Sequence, residues 1–197
     1  MAACTASSAA AAAAEAGFPT RVLCLGNDLI ADDALGPMAA RHLCLRLAEF
    51  GAPRPEGPAF DPAATVRAFD HPRAGTVEVV ETALTGMYLL EAVVGACRLI
   101  VVDTVVTGSA PPGTVEVMDE KDFAGVPAGG SPHYVGIFEA IGAARALGLD
   151  VPAEVVIVAV EAGDYFTVGG SMTAPVRAAV PEVVDRVLAL LGGSPPV

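Results

Sequence analysis

A Gly-bounded turn carrying two adjacent carboxylates, Gly26-Asn27-Asp28-Leu29-Ile30-Ala31-Asp32-Asp33-Ala34-Leu35-Gly36, stands between an apolar run and a helical pattern. The run, Arg21-Val22-Leu23-Cys24-Leu25, has the make-up of a strand buried on both faces, and residues 39–48 repeat their apolar positions at helical spacing. A strand, a Gly-bounded turn and a helix in that order predict the opening βα unit of an α/β protein, and the carboxyl ends of its strands are where open α/β sheets take ligands. Two like charges side by side repel, and each raises the other's pKa, so the Asp32–Asp33 pair points to chemistry. Its structural alternative is a cap on the following helix, where one acidic side chain satisfies free N–H groups.

The rest of the chain repeats that alternation. Strands are expected over residues 76–81, 98–103, 114–118 and 155–160, and helices over 87–94, 134–147 and 173–191. Gly148 and Gly192 stand as C-terminal stops, and Pro175 falls in the first turn of the last helix. The pattern predicts a single three-layer α/β domain over residues 18–192: a twisted, mostly parallel but mixed sheet with helices on both faces. Residues 51–75 hold Pro53, Pro55, Pro58, Pro62 and Pro72 with little periodic hydrophobicity, and are expected to form a long excursion outside the core. Residues 1–17 are an Ala/Ser-rich tract with no Lys or Arg before Arg21, so they lack the basic start of a secretory signal and read as a flexible tail.

Composition removes several function classes. The chain of 197 residues carries 11 Lys and Arg against 23 Asp and Glu, a net charge of −12, which argues against phosphate backbones and hence nucleic acid as a partner. No apolar run reaches the ~18 residues of a membrane span. Cys4, Cys24, Cys44 and Cys97 form no CxxC pair, so neither structural zinc nor a disulfide framework is expected, and a reducing cytoplasmic setting fits. Cys24 lies in an apolar strand and reads as a small hydrophobe, with no base in the sequence to activate it.

Three residues stand out as a constellation. Asp33 follows the first strand, Asp103 ends the run Leu99-Ile100-Val101-Val102-Asp103, and His133 opens a helix after the Gly/Pro-rich loop 125–132. Two carboxylates and an imidazole can hold a divalent metal with coordination positions left open, a donor set suited to nickel or zinc. Each also has a structural reading: a cap, a strand-end turn former and a helix N-terminal residue. The other histidines are read as bland, His71 as a solvated loop residue of the Pro-rich excursion and His42 as a helix-face residue.

The ordered motifs resemble those of the hydrogenase maturation endopeptidases. Gly26-Asn27 with Asp32-Asp33-Ala34-Leu35-Gly36 is similar to the family's amino-terminal signature, and Leu99 to Val105 followed by Pro111-Pro112-Gly113-Thr114-Val115 resembles its strand-Asp and PGT segments. Ser131-Pro132-His133-Tyr134-Val135-Gly136 resembles its S-x-H-x-x-G segment, and Val160-Glu161 with Gly170-Ser171-Met172-Thr173 its carboxyl-terminal pattern. The resemblance implies an endopeptidase that removes the C-terminal extension of a nickel-iron hydrogenase large-subunit precursor after nickel insertion. It places the metal-contacting acid, acid and histidine on Asp33, Asp103 and His133, with the nickel carried by the substrate and zinc or another divalent ion as a possible surrogate. It also implies that precursor as the partner, and a monomer is expected.

Three departures accompany the resemblance. Cys24 stands where the family often has Gly. Glu81-Thr82-Ala83-Leu84 replaces an Asp and a Gly-Gly-Thr turn, which bears on loop shape and substrate choice. The Pro-rich stretch is longer than expected. A non-cleaving nickel-recognition accessory protein for hydrogenase assembly is the alternative from the binding class. A phosphatase or α/β hydrolase with Asp33 as nucleophile would need a phosphate cradle, and no Walker-type glycine motif is present.

Overall fold

Strand β1 (Thr20–Leu25) is buried along its whole length and lies at the centre of a six-stranded sheet ordered β2-β3-β1-β4-β6-β5. The computed structural model describes residues 18–54, 64–119 and 132–192, and of residues 132–135 the backbone only. The tail 1–17 and most of the loop 125–132 lie outside the described residues.

Strands β1, β3 (Gly75–Thr82), β4 (Arg98–Val105) and β6 (Glu154–Glu161) run parallel, and the antiparallel strands β2 (Thr65–His71) and β5 (Val115–Asp119) form the two edges. This is the mixed, mostly parallel sheet that the alternating pattern predicts. Alternation along the central strands divides their side chains between two cores. Val22, Cys24, Ile100, Val102, Val158 and Val160 face helices α1 (Leu35–Leu47) and α4 (Ala174–Leu190). Leu23, Leu25, Leu99, Val101, Ile157 and Ala159 face the short α2 (Leu90–Val93) and α3 (Pro132–Ala146). Because both faces are covered, the strands read as unbroken apolar runs. In α4 the buried Val176, Ala179, Val180, Val183, Val184 and Val187 recur at spacings of three and four, which makes one apolar stripe.

The helix expected over 87–94 is a 3-10 turn, Gly86–Leu89, followed by the single helical turn α2. Helix α1 begins four residues earlier than the expected 39, since Leu35 starts the buried face that Ala39, Leu43 and Leu47 continue.

The last part of the Pro-rich stretch departs from the expected excursion, and residues 55–63 lie outside the described residues. Residues 65–71, expected to lie outside the core, form β2, which pairs antiparallel with β3 from Thr65 opposite Glu81 to His71 opposite Gly75. Phe69 is buried against the α1 and α4 core, which stabilises the strand by roughly 2 kcal/mol. An edge strand needs only one buried face and one paired edge, so Thr65-Val66-Arg67-Ala68-Phe69-Asp70-His71 shows weak periodicity beside its neighbouring prolines.

His71 is likewise no solvated loop residue. It is 4% exposed, its ring meets Phe50 edge to face with centroids 4.8 Å apart, and its Nδ1 accepts the N–H groups of Arg73 (3.3 Å) and Ala74 (3.1 Å). Burial first, and the Arg73 guanidinium second, hold its pKa below the ordinary histidine value. In the unfolded chain the ring titrates near ~6.5, so below that value the unfolded state binds a proton that the native state resists, and stability falls as pH drops toward the depressed native pKa. Asn at this position keeps an acceptor near the two N–H groups but cannot titrate. Urea unfolding between about pH 7 and about pH 5.5 is therefore expected to show a shallower loss of stability in His71→Asn than in the parent chain.

Candidate functional site

The first β–α turn is shaped by two glycines. Gly26 has φ +140°, and a Cβ there would lie 2.0 Å from the Asp33 carbonyl oxygen. A Cβ on Gly36 would lie 1.8 Å from the Leu25 carbonyl oxygen. The chain can therefore fold the 3-10 turn Asp32–Ala34 and the start of α1 directly onto the end of β1 only because both positions lack side chains.

The strand order makes the boundary between β1 and β4 the switch point of the sheet. From β1 the chain passes through α1 to β2 and β3 on one side, and from β4 through β5 and α3 to β6 on the other. The helices of these two crossovers cover opposite faces, so the connections diverge at the carboxyl edge and open a crevice there. Asp33, 9% exposed, belongs to the 3-10 turn that packs against β4. Asp103 is 0% exposed within β4, its Oδ1 accepting the Thr104 N–H at 2.7 Å. Val101 and Val105, on either side of it, belong to the α3 core, so Asp103 lies on the face that α3 covers.

His133 is the second residue of α3. The carboxyl end of α3 leads through residues 147–153 into the first residue of β6, so its amino end lies at the carboxyl edge of the sheet. Gly136, one turn further along α3, presses on the turn after β3: a Cβ there would lie 2.4 Å from the Gly86 nitrogen. Backbone geometry thus brings the amino end of α3 to the same edge as Asp33 and Asp103, while the His133 side chain lies outside the described residues.

Asp32 has a structural task. Its carboxylate accepts the N–H groups of Gly163 (2.8 Å), Asp164 (2.8 Å) and Thr173 (2.7 Å) and the Thr173 hydroxyl (3.0 Å). A fully buried carboxylate with four such donors is a clamp that ties the β1 turn to the segment between β6 and α4. Neither Asp32 nor Asp33 caps α1: its N-cap position is Ala34, with no side-chain cap bond, so the capping reading of the acidic pair is not what the structure shows. Glu161 does related work after β4. Its carboxylate accepts the Thr107 N–H (2.9 Å), the Gly108 N–H (2.7 Å) and the Thr107 hydroxyl (2.6 Å), holding the loop that leaves the Asp103 strand. In the sequence Glu161 stands next to Val160 in a motif, with nothing local to mark this role.

A groove of about 220 Å³ opens at the same edge, lined among others by Gly26, Asn27, Asp28, Thr65, Glu81 and Thr82. Arg41 bridges its rim, pairing with Asp28 and, at 2.9 Å, with Glu81. The rival residues stand apart from the crevice. His71 ends β2 at the opposite edge of the sheet, and His42 is exposed on α1. Cys24 is buried under α1, and burial drives its thiol pKa upward, which suits an inert hydrophobe.

The family described as HycI, hydrogenase maturation protease, matches residues 65–190, a span that includes Asp103 and His133 and begins after Asp33. Among solved structures, the chain is similar to the hydrogenase maturating endopeptidase HybD from E. coli, with a TM-score of 0.63 and 24% identity over 88% of this chain and 92% of that one. It is also similar to the NiFe hydrogenase maturation protease HybD from Thermococcus kodakarensis, with a TM-score of 0.61 and 20% identity over 88% of this chain and 99% of that one. A hydrogenase 2 maturation peptidase from Thaumarchaeota archaeon SCGC_AB-539-E09 gives 0.53 and 21% over 88% and 98%. No curated protein matches the chain.

Proposed function

The chain belongs to the hydrogenase maturation protease family, and on that premise we propose that Asp33, Asp103 and His133 together read a nickel ion already seated in the precursor. The reaction is hydrolysis of a peptide bond that frees the C-terminal extension of a hydrogenase large subunit. The observation that carries the proposal is the convergence at the β1/β4 switch point of a turn bearing one buried acid, a strand bearing another and the amino end of the helix whose second residue is His133.

Those donor types fit the ion. Carboxylate oxygen and imidazole nitrogen are ligands for nickel and zinc, and three of them leave positions for ligands that the precursor supplies. When bound, the ion supplies Lewis acidity for a scissile carbonyl or a bound water. The chain contributes placement. Asp103 is held toward the carboxyl end of the buried strand β4, and the Asp33 turn is locked by Gly26, Gly36 and the Asp32 clamp, so both acids are fixed before substrate arrives. Family membership favours this reading over the non-cleaving accessory protein.

The finer assignments follow from the same reading. The partner is the nickel-iron precursor, the protease works as a monomer, and the setting is cytoplasmic, which suits Cys24, Cys44 and Cys97 as free thiols. No helix among the described residues is long and apolar enough to cross a membrane.

Metal removal tests whether the ion is resident or carried by the substrate. Protease treated with a chelator and desalted is expected to process nickel-loaded precursor at its full rate, followed by intact mass. Loss of activity that zinc or nickel restores to the enzyme alone would assign the ion to the protease and overturn the shared-metal reading.

A further inference from the structure

Three large apolar side chains stand in solvent beside the crevice: Leu29 is 66% exposed, Phe166 76% and Val168 75%. They are held there by structure. Ile30 and Val168 form a β-bridge, the Gly169 N–H donates to the Leu29 carbonyl at 2.7 Å, and the Ala31 N–H donates to the Thr167 carbonyl at 3.0 Å. Asp164 Oδ1 accepts the N–H groups of Phe166 and Thr167, each at 3.1 Å, and the buried Asp32 carboxylate fixes Gly163 and Asp164 from below. Tyr165 lies against the Phe166 ring with centroids 4.0 Å apart. Exposed apolar groups on an ordered loop cost little entropy to bury, which is the condition for a docking hot spot.

We infer that this platform, built by Leu29, Phe166 and Val168, docks the folded body of the large-subunit precursor while its C-terminal segment enters the crevice. The inference rests on the protease reading above. Its ground is continuity: the platform shares a backbone segment with Asp33, since Leu29, Ala31 and Asp32 belong to the same turn, so anything seated on it is held next to the acids. A protein substrate offers more surface than its scissile segment, and apolar area supplies a grip that three ligands alone do not. A substrate positioned through a preformed surface also presents its cut site in one orientation.

The test runs equilibrium binding and steady-state cleavage of purified nickel-loaded precursor in parallel. Phe166→Ser, Val168→Ser and Leu29→Ser are each expected to weaken binding and raise KM by about tenfold, with kcat changed less than about twofold. Leu147→Ser, which removes a side chain of similar exposure (68%) at the opposite edge of the sheet, is expected to leave both unchanged. Melting temperatures should match the parent, because none of these side chains is buried. Unchanged binding in the three platform variants, or no binding by the parent, would overturn the platform whatever the cleavage rate. Weakened binding in those variants with no cleavage by the parent would support the platform and sink the protease reading. A parent dimer that Phe166→Ser dissociates, with precursor affinity unchanged, would make the platform a self-association face and overturn the inference.

Discussion

Alanine in place of Asp103 is expected to lower precursor processing by at least about a hundredfold while the chain stays folded, and Asp33→Ala and His133→Ala should do the same. Ligands to one ion act as a unit, because losing any one removes geometry and charge neutralisation together, so double and triple variants should be little worse than the singles. Folding should survive at Asp103. Its carboxylate accepts the N–H of its own neighbour Thr104, and the sheet register around it is set by backbone pairing with β1 and β6. Processing rates by intact mass, with melting temperatures on the same samples, check both halves. Full activity in folded Asp103→Ala or His133→Ala would remove the ligand set and leave the family assignment standing.

The largest stability effect is expected at Gly36. A methyl group there would have to occupy space 1.8 Å from the Leu25 carbonyl oxygen and 2.6 Å from its carbonyl carbon, and both are backbone atoms of a fully buried central strand. No side chain can swing away to make room. The start of α1 would have to lift from β1, opening the core around Leu35 and Ala39 and shifting the turn that carries Asp33. A cost of about 4 kcal/mol or more is expected for Gly36→Ala, near the upper limit for single substitutions, which lowers the melting temperature by roughly 10 °C in a domain of this size. Gly142→Ala, where a Cβ meets nothing within 4 Å, is the matched control and should be neutral or slightly stabilising. Calorimetry on the two variants decides it.

The parts of the fold legible in the sequence are those where one physical requirement dominates. Central strands such as Leu99 to Val102 are apolar throughout because both faces are covered, and Gly26 and Gly36 mark a turn that must lie flat on its strand. The edge strand β2 was hidden because pairing with one neighbour and burying little beyond Phe69 and His71 leaves room for Arg67 and Asp70. In the site, the position of an acidic pair in the turn after the first strand is legible in the sequence. The clamp that Asp32 makes is not, because its partners stand 131 to 141 residues downstream and local spacing carries no trace of them. The same holds for Glu161, whose partners lie across the sheet edge in the loop after β4. The exposed platform was illegible for a related reason: Phe166 and Val168 look like ordinary apolar residues until the bridge to Ile30 shows them held outward.

The central claim is that Asp33, Asp103 and His133 read nickel in the substrate, and the most direct measurement is the ratio of processing rates for nickel-loaded and nickel-free precursor, taken for the parent chain and for Asp103→Ala. The account predicts that the parent cleaves the loaded precursor at least about a hundredfold faster than the nickel-free one, and that the variant is slow on both, so its ratio falls toward one. Equal cleavage of both precursors by the parent, or a ratio that survives intact in Asp103→Ala, would contradict it.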